Sequence, residues 1–518
     1  MPEALRRSGA MPVALTRGGY WRTRAGDWVP PGLIAVLAVA LRLAFAFRAP
    51  PFYVGGDSET YLVPAFDLAN GLGFAPILKR PPLFPAFAAL SLAVLGEDLR
   101  GLALLQHGLG VLTVIGTYLL GRLVAGKAAG ALAAVLVALN GGLLIYERYV
   151  MAETLFTTLL TWSMVCVTAG ARRRSTWLLA AAGALLGGSA LTRPTAQLLV
   201  PLMLLGLWPF WRPAAAYWHA AAAMLGAFLL VAGPWTAVTW AQSGSAGSGL
   251  GEALFWRGTR ETPWRGEPYL IGREIGRPSD VSDPTLQAAR RLAYQRAQED
   301  DLPSDIAALI RQRFGYSEAE ADHVLRDVAL ELFARQPGRY AITSLGLFGR
   351  LLQGTEQWLG GQGKTGGIER YANPQDKYGE WWEQRIRHLA QPATVQEANE
   401  FRRAQALASL YQPYRFAAVI LPLQGLGLVA LAVAPAWRLG LLPVGMAAWL
   451  LLATAFLSGA LPRYRYPADP LLALTLACGI VGLLLGMREA GRRMFQARSA
   501  SQAAPSPTST SPSATVGR

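Results

Sequence analysis

Apolar residues in this chain gather in long unbroken runs instead of recurring at helical intervals. Segments 31–48, 101–121, 128–146, 154–171, 175–192, 196–211, 215–237, 415–433, 437–457 and 467–486 each come close to the ~20 residues a helix needs to cross a bilayer core. About ten transmembrane helices are predicted. Segment 82–95 is apolar too, but a full crossing there would reverse every basic loop that follows, so it is predicted to lie at the interface or to re-enter. Between 238 and 414 the pattern breaks up under Gly, Pro, Trp and charge. That stretch is too long for an ordinary connection and is predicted to fold over the membrane surface. Inside it, Ser317-x-x-Glu320 has the form of a capping box ahead of apolar positions at Val324, Leu325, Val328 and Leu332. Pro337 closes that helix, and an interfacial helix is predicted near 340–358.

Composition agrees with a lipid environment: 52% of residues are hydrophobic and 16% charged, against about 25% charged in soluble domains. The net charge of +15 changes the picture only through its placement. The Lys and Arg residues flank apolar runs, which excludes nucleic acid as the partner and sets orientation instead. One assignment puts the basic N-terminus, Arg122, Lys127, Arg172, Arg173, Arg174, Arg212, Arg438, Arg488, Arg492 and Arg493 all on the cytoplasmic side. The first run carries Arg42 and has no small-residue cleavage site, so it reads as a retained span. The expected organisation is a cytoplasmic N-terminus (1–30), a transmembrane module (31–237) with an outer loop (49–100), and an extracytoplasmic segment (238–414). C-terminal transmembrane helices (415–486) and a cytoplasmic tail (487–518) follow, basic at first and disordered from Ser499. Both termini are then cytoplasmic in a bacterial-type plasma membrane, while Asp57, Lys79, Glu153 and 238–414 share the outer face.

That co-location directs attention to chemistry. Gly55-Gly56-Asp57-Ser58-Glu59 puts a carboxylate at the membrane surface behind a flexible glycine pair. Glu153 opens span 154–171, where an acid either faces water or a partner, or simply complements the helix dipole; Glu147 nearby is a weaker candidate. Cations on the same face are Lys79, Arg80, Arg193, Arg463 and Arg465. Each alone could snorkel to headgroups, but several together favour a phosphate site, which the planar Arg fork suits. Two carboxylates and several cations at a lipid surface fit sugar transfer from a phosphate carrier: a base takes the acceptor proton while cations stabilise the departing phosphate. A transporter or lipid-carrier flippase is the rival reading, though the acids lie at the outer edge of the membrane and no repeated halves are visible.

Other motifs add little. Gly360-Gly361-Gln362-Gly363-Lys364-Thr365 lacks the leading glycine of a phosphate-binding loop, Trp358 standing in its place. Cys166 and Cys478 lie inside apolar runs, which offers neither disulfides nor a thiolate metal site. His107, His219, His323 and His388 are scattered without metal-ligand spacing. No nucleotide is required, and a loosely held divalent metal ion at Asp57 stays open as the one candidate cofactor.

Four segments carry a resemblance. The loop around Asp57, Lys79-Arg80-Pro81-Pro82-Leu83-Phe84-Pro85, Ala152-Glu153-Thr154-Leu155-Phe156 and Ala190-Leu191-Thr192-Arg193-Pro194-Thr195 together resemble the family-39 glycosyltransferases. That bacterial group is related to protein O-mannosyltransferases and the lipid A aminoarabinose transferase. The resemblance is good over 31–237 and looser at 333–340 and at Arg463-Tyr464-Arg465-Tyr466-Pro467, while 241–316 resembles nothing known. It implies an all-α GT-C membrane fold, a polyprenyl-phosphate sugar donor and inversion at the anomeric carbon. By family position Asp57 matches the first-loop acid that acts as base or acceptor-positioning group, and Glu153 matches the acid of the second outer loop, expected to support acceptor or metal. Arg42, a common feature of the first span, is counted with the substrate- or phosphate-binding cations. Many relatives have Asp in place of Glu153 and His in place of Arg80, which leaves the sugar and metal use open. The acceptor is expected to be protein, lipid or glycan.

Overall fold

The computed structural model describes residues 29–48, 58–74, 80–96, 99–211, 213–243, 249–259, 278–299, 301–353, 416–459 and 462–503. Among the described residues every regular element is helical. The N-terminal part comprises α1 (Val29–Arg48), α2 (Ser58–Ala69), α3 (Leu83–Leu95), α4 (Leu99–Ala125), α5 (Lys127–Ala138), α6 (Gly141–Tyr146), α7 (Glu153–Arg173), α8 (Thr176–Ala190), α9 (Leu199–Leu207) and α10 (Ala214–Ser243). Next come α11 (Leu250–Thr259), α12 (Pro284–Gln298), α13 (Pro303–Phe314), α14 (Glu318–Arg335) and α15 (Pro337–Gln353), then α16 (Ala417–Val433), α17 (Leu441–Leu457) and α18 (Asp469–Ala503). This is the all-α membrane architecture expected of a GT-C fold.

Among the described residues five helical segments are long and apolar enough to cross a membrane: Leu99–Ala125, Glu153–Arg173, Ala214–Ala241, Pro435–Leu457 and Tyr466–Gln496. They coincide with five of the predicted spans. The other five predicted spans are apolar helices of 10–17 residues. The run 128–146 is not one helix: it breaks at Asn140, whose side-chain oxygen accepts from the backbone N–H of Gly142 and Leu143 and starts α6 afresh. α3, thirteen residues, reaches only about 20 Å, which suits an interfacial or re-entrant helix. The tail is corrected at its start, since α18 continues through Ser499 to Ala503; Ala and Ser propagate a helix that is already nucleated.

The helices approach one another through small residues, as expected where lipid supplies no hydrophobic drive between them. A Cβ on Gly479 of α18 would lie 2.0 Å from the Leu423 carbonyl oxygen of α16, and one on Gly427 would lie 2.0 Å from that of Thr475. Three of the basic segments, 122–127, 172–174 and 436–438, meet at one end of the bundle: Arg172 donates to the carbonyls of Val124 and Ala436 at 3.4 and 3.1 Å, and Arg174 lies 5.5 Å from the Trp211 ring centroid. Glu153 begins α7 and Arg172 nearly ends it, so about 30 Å of helix separates that end from the acid.

Helices α11 to α14 form a separate unit around Phe255, Ala293, Ile310, Leu325 and Ala329. The capping box is present, Ser317 and Glu320 each serving the other's backbone, and Asp322 accepts from Gly251 and Glu252 to cap α11. Arg257, fully buried, docks this unit onto the bundle. It donates to the Ala455 carbonyl of α17 at 3.0 Å and to Thr343 Oγ1 and Ser344 Oγ of α15 at 2.9 and 2.8 Å. Helix α15, where an interfacial helix near 340–358 is expected, spans Pro337–Gln353, buries Leu347 and Leu351 and exposes Ile342 and Leu345; 354–358 of the prediction lie outside the described residues.

An acid-sensitive point is built into this unit. Burial works to raise the Glu331 carboxyl, but hydrogen bonds from Ser279 and the charges of Arg335 and Arg290 outweigh it and hold the group below its ordinary value of 4.5. A depressed carboxylate contributes stability above its unfolded value and loses it as pH falls through the folded one. Protection of the amides in α12 and α14 against hydrogen exchange, taken relative to the intrinsic rate at each pH, is therefore expected to fall as pH drops below 4.5. Glu331→Gln is expected to exchange faster at neutral pH and to show a flatter response over the acid range.

Candidate active site

Glu153 is the first residue of α7 and only 2% exposed. The turn before it is fixed from several sides. Gln106 Nε2 donates to the carbonyls of Glu147 and Tyr149, Arg148 donates to the Phe45 carbonyl, and Tyr146 packs between Tyr149 and Tyr466 with centroids 5.2 and 4.7 Å away. A Cβ on Gly142 would fall 2.2 Å from the Tyr466 ring, so the aromatic cluster seats directly on α6.

Two cations meet the acid. Arg193 follows the end of α8, and Pro194 keeps its backbone extended, with φ −146° and ψ 124°. From there its guanidinium reaches back to donate to Glu153 Oε1 at 3.1 Å. Arg463, on the short 3₁₀ turn Pro462–Tyr464, stands 4.0 Å from the same oxygen. The Tyr464 ring serves both, with the guanidinium carbons of Arg193 and Arg463 at 5.3 and 5.4 Å from its centroid. Two guanidinium groups against one carboxylate leave a net positive charge, and both cations keep partial exposure, 17% and 20%. Such a site can take a phosphate, with the carboxylate and the ring fixing the orientation of the forks.

The other predicted residues are placed differently. Arg80 donates to Thr60 Oγ1 at 2.9 Å and stacks 5.0 Å from the Tyr61 ring of α2. The segment it opens runs beside Arg193, because Leu83 N–H bonds the Leu191 carbonyl. Arg42 is buried and donates to Glu147 Oε1 at 2.5 Å. Arg465 is buried at 3%, donating to Asp469 Oδ1 at 2.7 Å and to the Leu351 and Leu352 carbonyls, while Asn140 donates to the other Asp469 oxygen at 2.7 Å. Geometry thus ties Arg42 and Arg465 into internal ion pairs, apart from the Glu153 cluster. Asp57 and Lys79 lie outside the described residues, and with Asp57 goes the divalent metal ion considered there. Among the described residues no three His, Cys, Asp or Glu side chains gather as metal ligands.

Sequence reasoning missed Tyr464, Asn140, Asp469 and the pairing of His107, whose Nδ1 lies 2.8 Å from Glu147 Oε2. Tyr464 was legible as an aromatic between two arginines; the rest had no local signal.

Residues 79–240 match the family described as dolichyl-phosphate-mannose-protein mannosyltransferase. That range is under half of the chain, holds Arg80, Glu147, Glu153 and Arg193, and contains three of the four segments that carry the resemblance. No curated protein matches. Among solved structures, ArnT from Cupriavidus metallidurans bound to undecaprenyl phosphate is similar at 14% identity and a TM-score of 0.36, over 88% of this chain and 77% of that one. The archaeal oligosaccharyltransferase AglB from Archaeoglobus fulgidus, in complex with an inhibitory peptide and a dolichol-phosphate, is similar at 13% identity and a TM-score of 0.44, over 94% and 53%. The chain therefore spans about half the length of the archaeal protein.

Proposed function

We propose that the chain is an inverting glycosyltransferase that moves a hexosyl or pentosyl unit from a polyprenyl-phosphate carrier to an acceptor at the extracytoplasmic face of the plasma membrane. The observation that carries this reading is the Glu153–Arg193–Arg463 cluster, partly exposed at the bundle end opposite the basic loops, with Glu153 and Arg193 inside the segment matched to mannosyltransferases. Arg193 and Arg463 bind the phosphate that departs with the carrier, and Glu153 holds their forks. Arg80, and Lys79 beside it, extend the positive field. Asp57 is the base that takes the acceptor proton, so that the acceptor oxygen attacks the anomeric carbon as the C–O bond to phosphate breaks. No nucleotide enters. The acceptor is a hydroxyl-bearing protein, lipid or glycan.

The test is transfer in membranes supplied with a panel of polyprenyl-phosphate sugars, comparing the native chain with Asp57→Asn after equal insertion is confirmed. Release of polyprenyl phosphate by the native chain and its loss in Asp57→Asn support the reading. Carrier movement across the bilayer without sugar release would replace it with a flippase, and full activity in Asp57→Asn would remove that residue as the base.

A further inference from the structure

A second ion cluster lies directly beneath the donor cluster. Glu147 closes α6, is 2% exposed, and spends both oxygens on side chains from other helices: Oε1 accepts from Arg42 of α1 at 2.5 Å, and Oε2 meets His107 Nδ1 of α4 at 2.8 Å. Gly110 makes the meeting sterically feasible, since a Cβ there would stand 1.9 Å from Glu147 Oε1 and 2.7 Å from Arg42 Nε. Three buried titratable groups are more than one structural pair requires.

Among the fifteen buried side-chain N and O atoms of the described residues that have no hydrogen-bond partner are Arg42 Nε, His107 Nε2 and Glu153 Oε2, and the first and last of these three belong to residues that share a cavity. That internal cavity is about 10 Å³ and is bounded also by Gly110, Thr113, Tyr146, Glu147, Thr157 and Tyr466. That volume is room for about one water, and a polar site of this size with several partners is where an ordered water resides. A buried carboxylate oxygen is costly when unsatisfied, as is a guanidinium N–H. One water accepting from Arg42 Nε and donating to Glu153 Oε2 would satisfy both.

We propose that Arg42, Glu147 and His107 are positioning residues that act on Glu153 through one buried water. The inference rests on the reading of Glu153 as the acid of the donor site and deepens it. His107 and Glu147 orient Arg42; Arg42 orients the water; the water fixes the second oxygen of Glu153, while Arg193 holds the first. The acid therefore cannot rotate when a phosphate draws on Arg193 and Arg463.

The test needs a variant that removes the relay without leaving a lone buried charge. Arg42→Met combined with Glu147→Gln does so, because both charges go together and the amide introduced by Glu147→Gln can still meet His107. The expected result is a native thermal midpoint, an unchanged KM for the donor, and a kcat lower by about 10–100-fold, the range typical of lost outer-shell partners. Native kcat in the stable double variant would overturn the proposal. A readout independent of activity is a high-resolution map of the native protein in lipid nanodiscs: density for one water between Arg42 Nε and Glu153 Oε2 supports the relay, and a dry cavity overturns it whatever the kinetics. Absence of transfer by the native chain on every donor would instead defeat the glycosyltransferase reading, leaving the water to be judged from the map. Should the double variant fail to fold, Arg42→Lys, which keeps the charge but removes Nε, is expected to show the same kcat loss; native kcat there would also sink the idea.

Discussion

Arg193→Lys is expected to lower kcat for a polyprenyl-phosphate sugar by about 10²–10³-fold, the cost of removing one preorganised donor from a developing anion. Lysine keeps the charge, so Glu153 stays paired, but the planar fork that matches phosphate oxygens is lost. Arg193→Ala confounds two effects, because it also leaves Glu153 Oε1 with only Arg463 at 4.0 Å. A double-mutant cycle separates them. Were Arg193 present only to neutralise Glu153, then Arg193→Gln with Glu153→Gln would be stable and active. A stable and inactive double variant is the expected outcome, measured as released polyprenyl phosphate per inserted protein. Recovery of activity in the double variant would move the phosphate contact elsewhere, Arg463 being the next group to examine.

The membrane architecture was legible because spans are set by residues adjacent in sequence, and the capping box at Ser317 and Glu320 for the same reason. What the chain pattern hides is any feature whose partner lies far along it. Asn140 sits in an apolar run, and only Asp469, 329 residues on, shows why the helix must restart there. His107 carries no local motif, yet it meets Glu147 40 residues later, and Arg42 reaches the same carboxylate across 105. The site itself was half legible. Glu153 and Arg193 were read from position at a span end, and the structure brings them together; that Arg463 joins them follows from a 3₁₀ turn that no periodicity announces. Arg463 and Arg465 look equivalent in sequence, but that turn and the next, Tyr466–Ala468, send one toward Glu153 and the other into the bundle.

Arg465→Met is expected to destabilise the protein by about 3–5 kcal/mol, the usual consequence of removing one member of a buried ion pair. Asp469 is 1% exposed, and without Arg465 it loses its paired cation while the Asn140 amide stays bonded to its other oxygen. The Leu351 and Leu352 carbonyls at the end of α15 lose the Arg465 donor as well, which loosens that helix from α18. The measurement is the denaturant or thermal midpoint in micelles of fixed composition, with helix signal and a cysteine-accessibility probe on α15 recorded together. Arg465→Met with Asp469→Leu removes both charges and is expected to recover most of the loss, since apolar replacement of a whole buried pair is often neutral. That same variant decides the role of Arg465. Tied down by Asp469 and two carbonyls, it should leave the donor site intact, so the rescued protein is expected to transfer sugar within a few-fold of native. A folded double variant without activity would return Arg465 to the phosphate and place the donor deeper, against the Tyr466 side of the bundle.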